Sequence, residues 1–273
     1  MITDYSSVKE QRPILANRCL FPEKRRRFFG SNIDLLTMDE TAMAVERILQ
    51  ERVPTQHVVV NVAKLMMMRK DEELSEIVNS CSLVNVDGQG VVWGARWLGI
   101  LVPERVTGID LFFRLVELSA RKGYRLYFLG AQQEVVQEVV RLFTERYPSL
   151  QVVGWRNGYF KPVDEAGIVE DIRDSRADIL FVAMNSPQKE LFLKKYTQTM
   201  NVPFTMGVGG SFDVAAGRTQ RAPVWMQKAG LERFYRLLSE PARMTSRYVV
   251  SNSIFFMLLL KAKLFGKKKY GCE

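Results

Sequence analysis

Histidine is almost absent from this chain, with His57 alone among 273 residues. The three cysteines, Cys19, Cys81 and Cys272, are odd in number and far apart, and no Asp-x-Asp pair occurs. A zinc site needs clustered Cys or His, and a magnesium-bound diphosphate needs grouped carboxylates, so no metal is expected. The same cysteine usage fits reduced thiols and argues against a disulfide scaffold. Cys272 stands too near the end for a prenylation box and is given no role. No apolar run approaches the roughly 20 residues that a membrane-crossing helix requires. Met1 to Pro13 are polar and lack a signal-peptide core, so export is not expected. No G-x-x-x-x-G-K-[ST] is present, which excludes a P-loop.

What the chain does have is asymmetry. Residues 218–273 hold twelve Lys and Arg against three Asp and Glu, which accounts for the whole formal charge of +9. Trp225, Phe234, Tyr235, Tyr248 and the run Ile254 to Leu260 are interleaved with those cations. Nucleic-acid binding would spread aromatics among phosphate contacts, whereas seven consecutive large apolar residues flanked by lysines suit an acyl-chain boundary with anionic headgroups. An anionic membrane surface is therefore the expected partner of the tail, and nucleic acid is not. An ordinary core helix with a solvated lysine end is the plain alternative. Burial between subunits of a homo-oligomer is another use for the same surface.

At 47% hydrophobic content, the body can bury a sizeable core. Val58 to Val62, Leu83 to Val86, Tyr124 to Leu129, Ile179 to Met184 and Phe204 to Val208 read as buried parallel strands. Amphipathic stretches lie between them: Leu65 to Asn79, Ile109 to Lys122, Glu134 to Tyr147, Asp164 to Arg173 and Pro187 to Thr199. The alternation predicts an α/β fold, a Rossmann-like doubly wound and mostly parallel sheet. Each strand runs directly into residues capable of chemistry: Asn61, Asp87-Gly88, Gly130, Asn185 to Gln188, and Gly209-Gly210-Ser211. Ligands in such sheets bind outside the carboxyl ends of the strands, so these turns should converge on one crevice.

Asp87, at a strand end beside Gly88, is the leading general-base candidate. Arg105 and Asp110 form a second charged group, although Asp110 also suits a helix start. Gly207 to Asp213 makes a glycine-rich cradle for phosphate or ribose, with Asp213 as acceptor. With no metal, a diphosphate would be neutralised by guanidinium groups, for which Arg236, Arg243 and Arg247 are candidates. Met66 to Met68 read as core packing. Gly88-x-Gly90-x-x-x-Gly94 suggests a dinucleotide loop, but its third glycine is one place late and Trp93 fills the close-packing position. A membrane-associated dinucleotide-dependent oxidoreductase is therefore the alternative reading, and a non-catalytic membrane scaffold a third.

Several ordered blocks resemble the WecG/TagA/CpsF glycosyltransferases, family 26. They are His57 to Asn61, Val86 to Val92, Pro103 to Asp110, Pro187 to Glu190, Gly207 to Asp213, Arg221-Ala222-Pro223-x-Trp225, and Gly230 to Glu232 through Tyr235-Arg236-Leu237 to Glu240-Pro241-x-Arg243. The resemblance implies an inverting, metal-independent transfer of a sugar from a UDP-sugar donor to a polyprenyl-diphosphate-linked saccharide. That reaction serves surface or extracellular polysaccharide synthesis at the cytoplasmic face of the bacterial inner membrane, by a peripheral enzyme without a cofactor. It places Asp87 as base, with Arg105, Gln188 and Asn61 in the catalytic set. Gly130, Asn185, Gly207, Gly209, Gly210 and Asp213, with Arg236, Arg243 and Arg247 from the appendage, form the nucleotide-binding set. The implied organisation is an N-terminal extension (1–30), an α/β catalytic domain (31–220) and a basic, apolar, membrane-associating C-terminal appendage (221–273). Two positions depart from the family: Val59 replaces a frequent Thr, and Arg233 a usual Trp.

Overall fold

The computed structural model describes residues 19–228, Glu232, Tyr235 and 241–273, with only the backbone given for Val224, Lys228 and 241–249. The chain opens with an antiparallel hairpin, β1 (Arg25–Phe28) and β2 (Ser31–Asp34), followed by α1 (Met38–Glu51). Then come β3 (Thr55–Val60), α2 (Val62–Met68), α3 (Glu72–Ser80), β4 (Leu83–Val86), α4 (Gln89–Trp97) and α5 (Gly108–Lys122). The second half runs β5 (Arg125–Gly130), α6 (Gln133–Arg146), β6 (Gln151–Arg156), α7 (Glu165–Asp174), β7 (Ile179–Ala183), α8 (Gln188–Met200), β8 (Phe204–Gly207) and α9 (Ser211–Ala215). Two further helices are α10 (Val224–Lys228) and α11 (Pro241–Phe265).

Six strands form one parallel sheet in the order β4-β3-β8-β7-β5-β6. Alternation sends side chains to opposite faces. Leu126, Phe128, Ile179 and Phe181 pack with α1, α5, α6 and α9 on one side, while Tyr127, Leu129, Leu180 and Val182 pack with α7 and α8 on the other. Helices thus cover both faces, which is why the strands read as continuous apolar runs.

The central strands and four of the five expected helices fall within a few residues of their expected places, and the remaining differences have local causes. The single helix expected over Leu65 to Asn79 is two, because Asp71 leaves the helical region and its side chain accepts from Leu74 N at 2.9 Å, starting α3 afresh. Strand β6 was not expected. It lies at the sheet edge with every residue at least partly exposed, and so lacks an apolar run. Nor was α1, which a reciprocal capping box starts: Thr37 Oγ1 accepts from Glu40 N, and Glu40 Oε2 accepts from Thr37 N. The basic cluster Lys24 to Arg27 contributes to a structured element. Arg25 makes two hydrogen bonds to the buried Asp34, at 2.7 and 2.8 Å, and Asp34 also accepts from Val84 N. This hairpin spans the boundary expected at residue 30.

The apolar C-terminal run does not stand off from the body. Phe255, Leu259 and Ala262 recur at helical spacing and are buried against α2 and α4. Phe255 meets Phe28 and Phe29 edge-on, at centroid distances of 6.1 and 5.6 Å. Burial of each large side chain is worth about 1.5–3 kcal/mol. Gly94 makes the approach possible, since a Cβ there would lie 2.9 Å from Leu259 Cδ2. Residues 271–273 then bond to the hairpin, with Arg27 N donating to Glu273 O, Glu273 N to Arg27 O, and Gly30 N to Gly271 O. Cys272 is fully buried there and its Sγ accepts from Phe29 N. The opposite side of α11 remains exposed: Phe256, Met257, Leu264 and Phe265 each show more than half of their surface.

Candidate active site

A cavity of about 230 Å³ opens at the carboxyl ends of β3, β4 and β8. Asn61 and Asp87 reach its wall from the first two strands, and Gly207, Gly209 and Gly210 form the turn after the third. Arg105, Thr107 and Gly108 enter from the start of α5, and Ser186 and Lys189 from the region after β7. Strands β3 and β8 are neighbours, and β3 runs into α2, which packs beside α3 and α8, whereas β8 runs into α9, which packs on α5 and α6. A parallel sheet leaves a crevice where neighbouring strands lead to opposite faces.

Asp87 is half-buried at the end of β4, its amide donating to Val60 O at 2.9 Å. It lies beside Gly108, where a Cβ would sit 3.9 Å from Asp87 Oδ2 and 3.6 Å from Val59 Cγ2. Asn61 caps α2, its side-chain carbonyl accepting from Lys64 N at 3.0 Å. Arg105 is fixed by a hydrogen bond to Gln227 O at 3.1 Å and by Glu232 at 3.8 Å. Glu232, also on the wall, takes Arg221 at 3.4 Å, and Arg221 in turn bonds Asp110 at 2.7 Å. Burial alone would raise the Asp110 pKa, yet hydrogen bonds from Arg221 and Thr107 hold it below the usual carboxylate range. Thr107 caps α5 by accepting from Asp110 N.

A buried charge cluster forms the floor. Lys64 Nζ contacts Glu190 Oε1 at 2.5 Å, Lys189 Nζ lies 3.2 Å from the same oxygen, and Ser186 Oγ bonds both Lys189 and Glu190. Burial pushes the Lys189 ammonium down to about 8, and the Lys64 charge adds to that while Glu190 opposes it. Burial would raise Glu190, but the two lysines hold it below its ordinary value. Glu190 Oε2 is buried with no hydrogen-bond partner among the described residues. Among those residues, no three His, Cys, Asp or Glu side chains are grouped to hold a metal.

Of the expected site residues, the cavity joins Asp87, Arg105, Asn61, Gly207, Gly209 and Gly210. Gly130, Asn185, Gln188 and Asp213 are not among its lining residues. Gly130 has φ +120°, and a Cβ there would fall 2.5 Å from Ala183 O, so close strand packing requires glycine. Asn185 and Gln188 are exposed at the start of α8. Asp213 O closes the turn after α9 by accepting from Arg218 N and Thr219 N. Arg236 and Arg233 lie outside the described residues, and of Arg243 and Arg247 only the backbone is described. From the sequence, no role attached to Lys64, Lys189, Glu190, Thr107 or Glu232, and Ser186 stood only within the strand-end turn Asn185 to Gln188. Lys64 carried a usable signal, being the only charge in the helical run Val62 to Met68. Lys189, Glu190 and Glu232 stood inside quoted blocks without an assignment.

Residues 26–269 match the Glycosyl transferase WecG/TagA/CpsF family. The chain belongs to this family. It is therefore a glycosyltransferase, and Gly94, the late third glycine of the dinucleotide alternative, admits Leu259 of α11. Among its relatives is an N-acetylglucosaminyldiphosphoundecaprenol N-acetyl-beta-D-mannosaminyltransferase of Bacillus subtilis (strain 168), 33% identical over 174 residues, 64% of this chain and 67% of that protein. A protein with the same description from Bacillus spizizenii (strain ATCC 23059 / NRRL B-14472 / W23) is 34% identical over 167 residues, 61% of this chain and 64% of that protein. The chain thus matches about two thirds of the length of these relatives.

Proposed function

We propose that this glycosyltransferase moves a sugar from a UDP-sugar to a polyprenyl-diphosphate-linked saccharide, with inversion and without a metal. The observation that carries the reading is the single cavity onto which Asp87 and the Gly207–Gly210 turn both open. Asp87 removes the proton from an acceptor hydroxyl as that oxygen bonds to the anomeric carbon of the donor. The bond from that carbon to the diphosphate oxygen breaks, and UDP departs with the negative charge. Backbone amides around Gly209 and Gly210 and the Arg105 guanidinium suit that charge. Arg236, Arg243 and Arg247 complete the set in this proposal. Asn61 and Gln188 belong to the catalytic set of this proposal, and Gly130, Asn185 and Asp213 to its nucleotide-binding set; of these five, Asn61 lines the cavity.

A lipid-linked acceptor requires a membrane contact, and the outward face of α11 supports one. Phe256, Met257, Leu264 and Phe265 lie there beside Lys261 and Lys263, and Trp93 and Trp97 are exposed on the supporting α4. No helix among the described residues is long and apolar enough to cross a membrane. An amphipathic helix lying in the headgroup region, with tryptophans at the interface, fits this composition. The proposed site of action is the cytoplasmic face of the inner membrane.

The test is UDP release from a panel of UDP-sugars with a prenyl-diphosphate-saccharide acceptor, with and without EDTA, for wild type and Asp87→Asn. Transfer should survive EDTA and fall by about a hundredfold or more in the variant, the scale of general-base catalysis, with an unchanged circular dichroism spectrum. Full activity of Asp87→Asn would remove the base from the mechanism. Loss in EDTA would remove its metal independence.

A further inference from the structure

The charges on the cavity floor do not balance. Lys64 and Lys189 share one carboxylate, Glu190, and both lysines line the cavity. Lys64 has the shorter contact, 2.5 Å against 3.2 Å. Among the described residues, Glu190 is also the one carboxylate that acts on the Lys189 charge. A buried cation without its own counter-ion is costly, and it costs least where a ligand supplies the missing charge.

The local geometry serves Lys189 in particular. Its aliphatic stem crosses directly over Gly207, where a Cβ would lie 2.7 Å from Cδ and 2.8 Å from Cε. A Cβ at the end of β8 would force this stem aside. Among the described residues the ammonium contacts Ser186 Oγ and Glu190 Oε1, two partners for three N–H donors. The remaining direction is available to the cavity that Lys189 lines.

We propose that Lys189, steadied by Ser186 and backed by the Lys64–Glu190 pair, is the subsite for an anionic group, phosphate or carboxylate, of the sugar nucleotide that occupies this cavity. The inference rests on the UDP-sugar reading above and adds which side chain holds the charge. A pKa pushed down by burial to about 8 gives the subsite a signature, because an anion binds the protonated amine and raises its pKa again. Binding therefore takes up a proton and weakens as pH rises through about 8.

The test is calorimetric titration of the full chain with uridine, UDP, UDP-N-acetylglucosamine and UDP-glucuronate at pH 7 and 9, for wild type, Lys189→Gln and Lys189→Arg. Loss of one charge-assisted contact should weaken binding about tenfold or more in Lys189→Gln. A loss shared by all three diphosphates, with uridine unaffected, identifies a phosphate. A loss confined to UDP-glucuronate identifies a carboxylate on the sugar. In either case Lys189→Arg retains binding, and the wild-type fall between pH 7 and 9 is reduced in Lys189→Gln. Wild-type affinities and an unchanged pH dependence in a folded Lys189→Gln would overturn the subsite while leaving the UDP-sugar reading intact. So would an equal loss for uridine, which would mark a structural role. A wild type that binds uridine but none of the diphosphates would overturn the UDP-sugar reading itself.

Discussion

At the scale of single residues, this protein places titratable groups where water cannot reach them and makes each environment select one state. His57 shows it most simply. Its Nε2 pairs with Asn85 Oδ1 at 2.8 Å, Nδ1 has no hydrogen-bond partner among the described residues, and burial lowers its pKa to about 4. The folded protein therefore keeps a neutral imidazole where the unfolded chain, with a pKa near 6.5, takes up a proton. Because the unfolded state binds more protons between pH 6.5 and 4, stability falls as pH drops through that window. From pH 7 to 5 the loss from this group is about 2 kcal/mol. Urea unfolding at the two pH values should show that increment in wild type and not in His57→Phe, which keeps the ring packing on Phe204 at the cost of the Asn85 hydrogen bond. Equal pH dependence in both would contradict a neutral buried His57. In the Lys64–Glu190–Lys189 cluster burial is opposed by contact between opposite charges, and both lysines line the cavity. Asp87 was legible in the sequence because it follows a strand and precedes a glycine. The cluster was not, because its members stand 126 residues apart and meet only when α2 and α8 pack on the same side of the sheet.

At the scale of elements, α11 decides the character of the second half of the tail. Its inner stripe closes the core formed by the hairpin, α2 and α4, and its outer stripe is the proposed membrane face. Phe255→Ala removes a ring that is 5% exposed and packed on two other phenylalanines, so it should cost about 3–5 kcal/mol. Urea unfolding measures this, and limited proteolysis should show faster cleavage within 241–265. An unchanged unfolding midpoint would mean that the helix does not contribute to the core as described. Strands β3, β4, β5, β7 and β8 were readable because burial on both faces demands continuous apolar runs. β6 and the hairpin were not, since an edge strand and an arginine-rich strand satisfy their polar side chains in place and leave no such run. The break between α2 and α3 was visible only as a capping aspartate, and the apolar spacing continues through it.

At the scale of the whole molecule, the charge asymmetry becomes an orientation. The proposed membrane face and the cavity belong to one connected body, joined through α4, whose N-terminus follows Asp87-Gly88 and whose middle receives Leu259. Replacing Phe256, Leu260 and Leu264 together with Glu places charge along one outward stripe without touching the buried positions. Partitioning onto anionic phospholipid vesicles should drop by about a hundredfold, and the unfolding midpoint should stay unchanged, because each exposed apolar side chain adds to interfacial affinity and none adds to the core. Sedimentation with vesicles measures this, and wild-type binding should also weaken as salt rises. Wild-type partitioning of the variant would sever α11 from the membrane. The sequence by itself determined the fold class, the strand-end location of Asp87 and the basic tail, because periodicity, turn chemistry and net charge are local or additive properties. The tertiary structure alone decided that the apolar run has one face inside and one outside, and that two lysines share one carboxylate beneath the glycine turn. Both depend on which distant surfaces exclude water from each other, and that information is carried by packing.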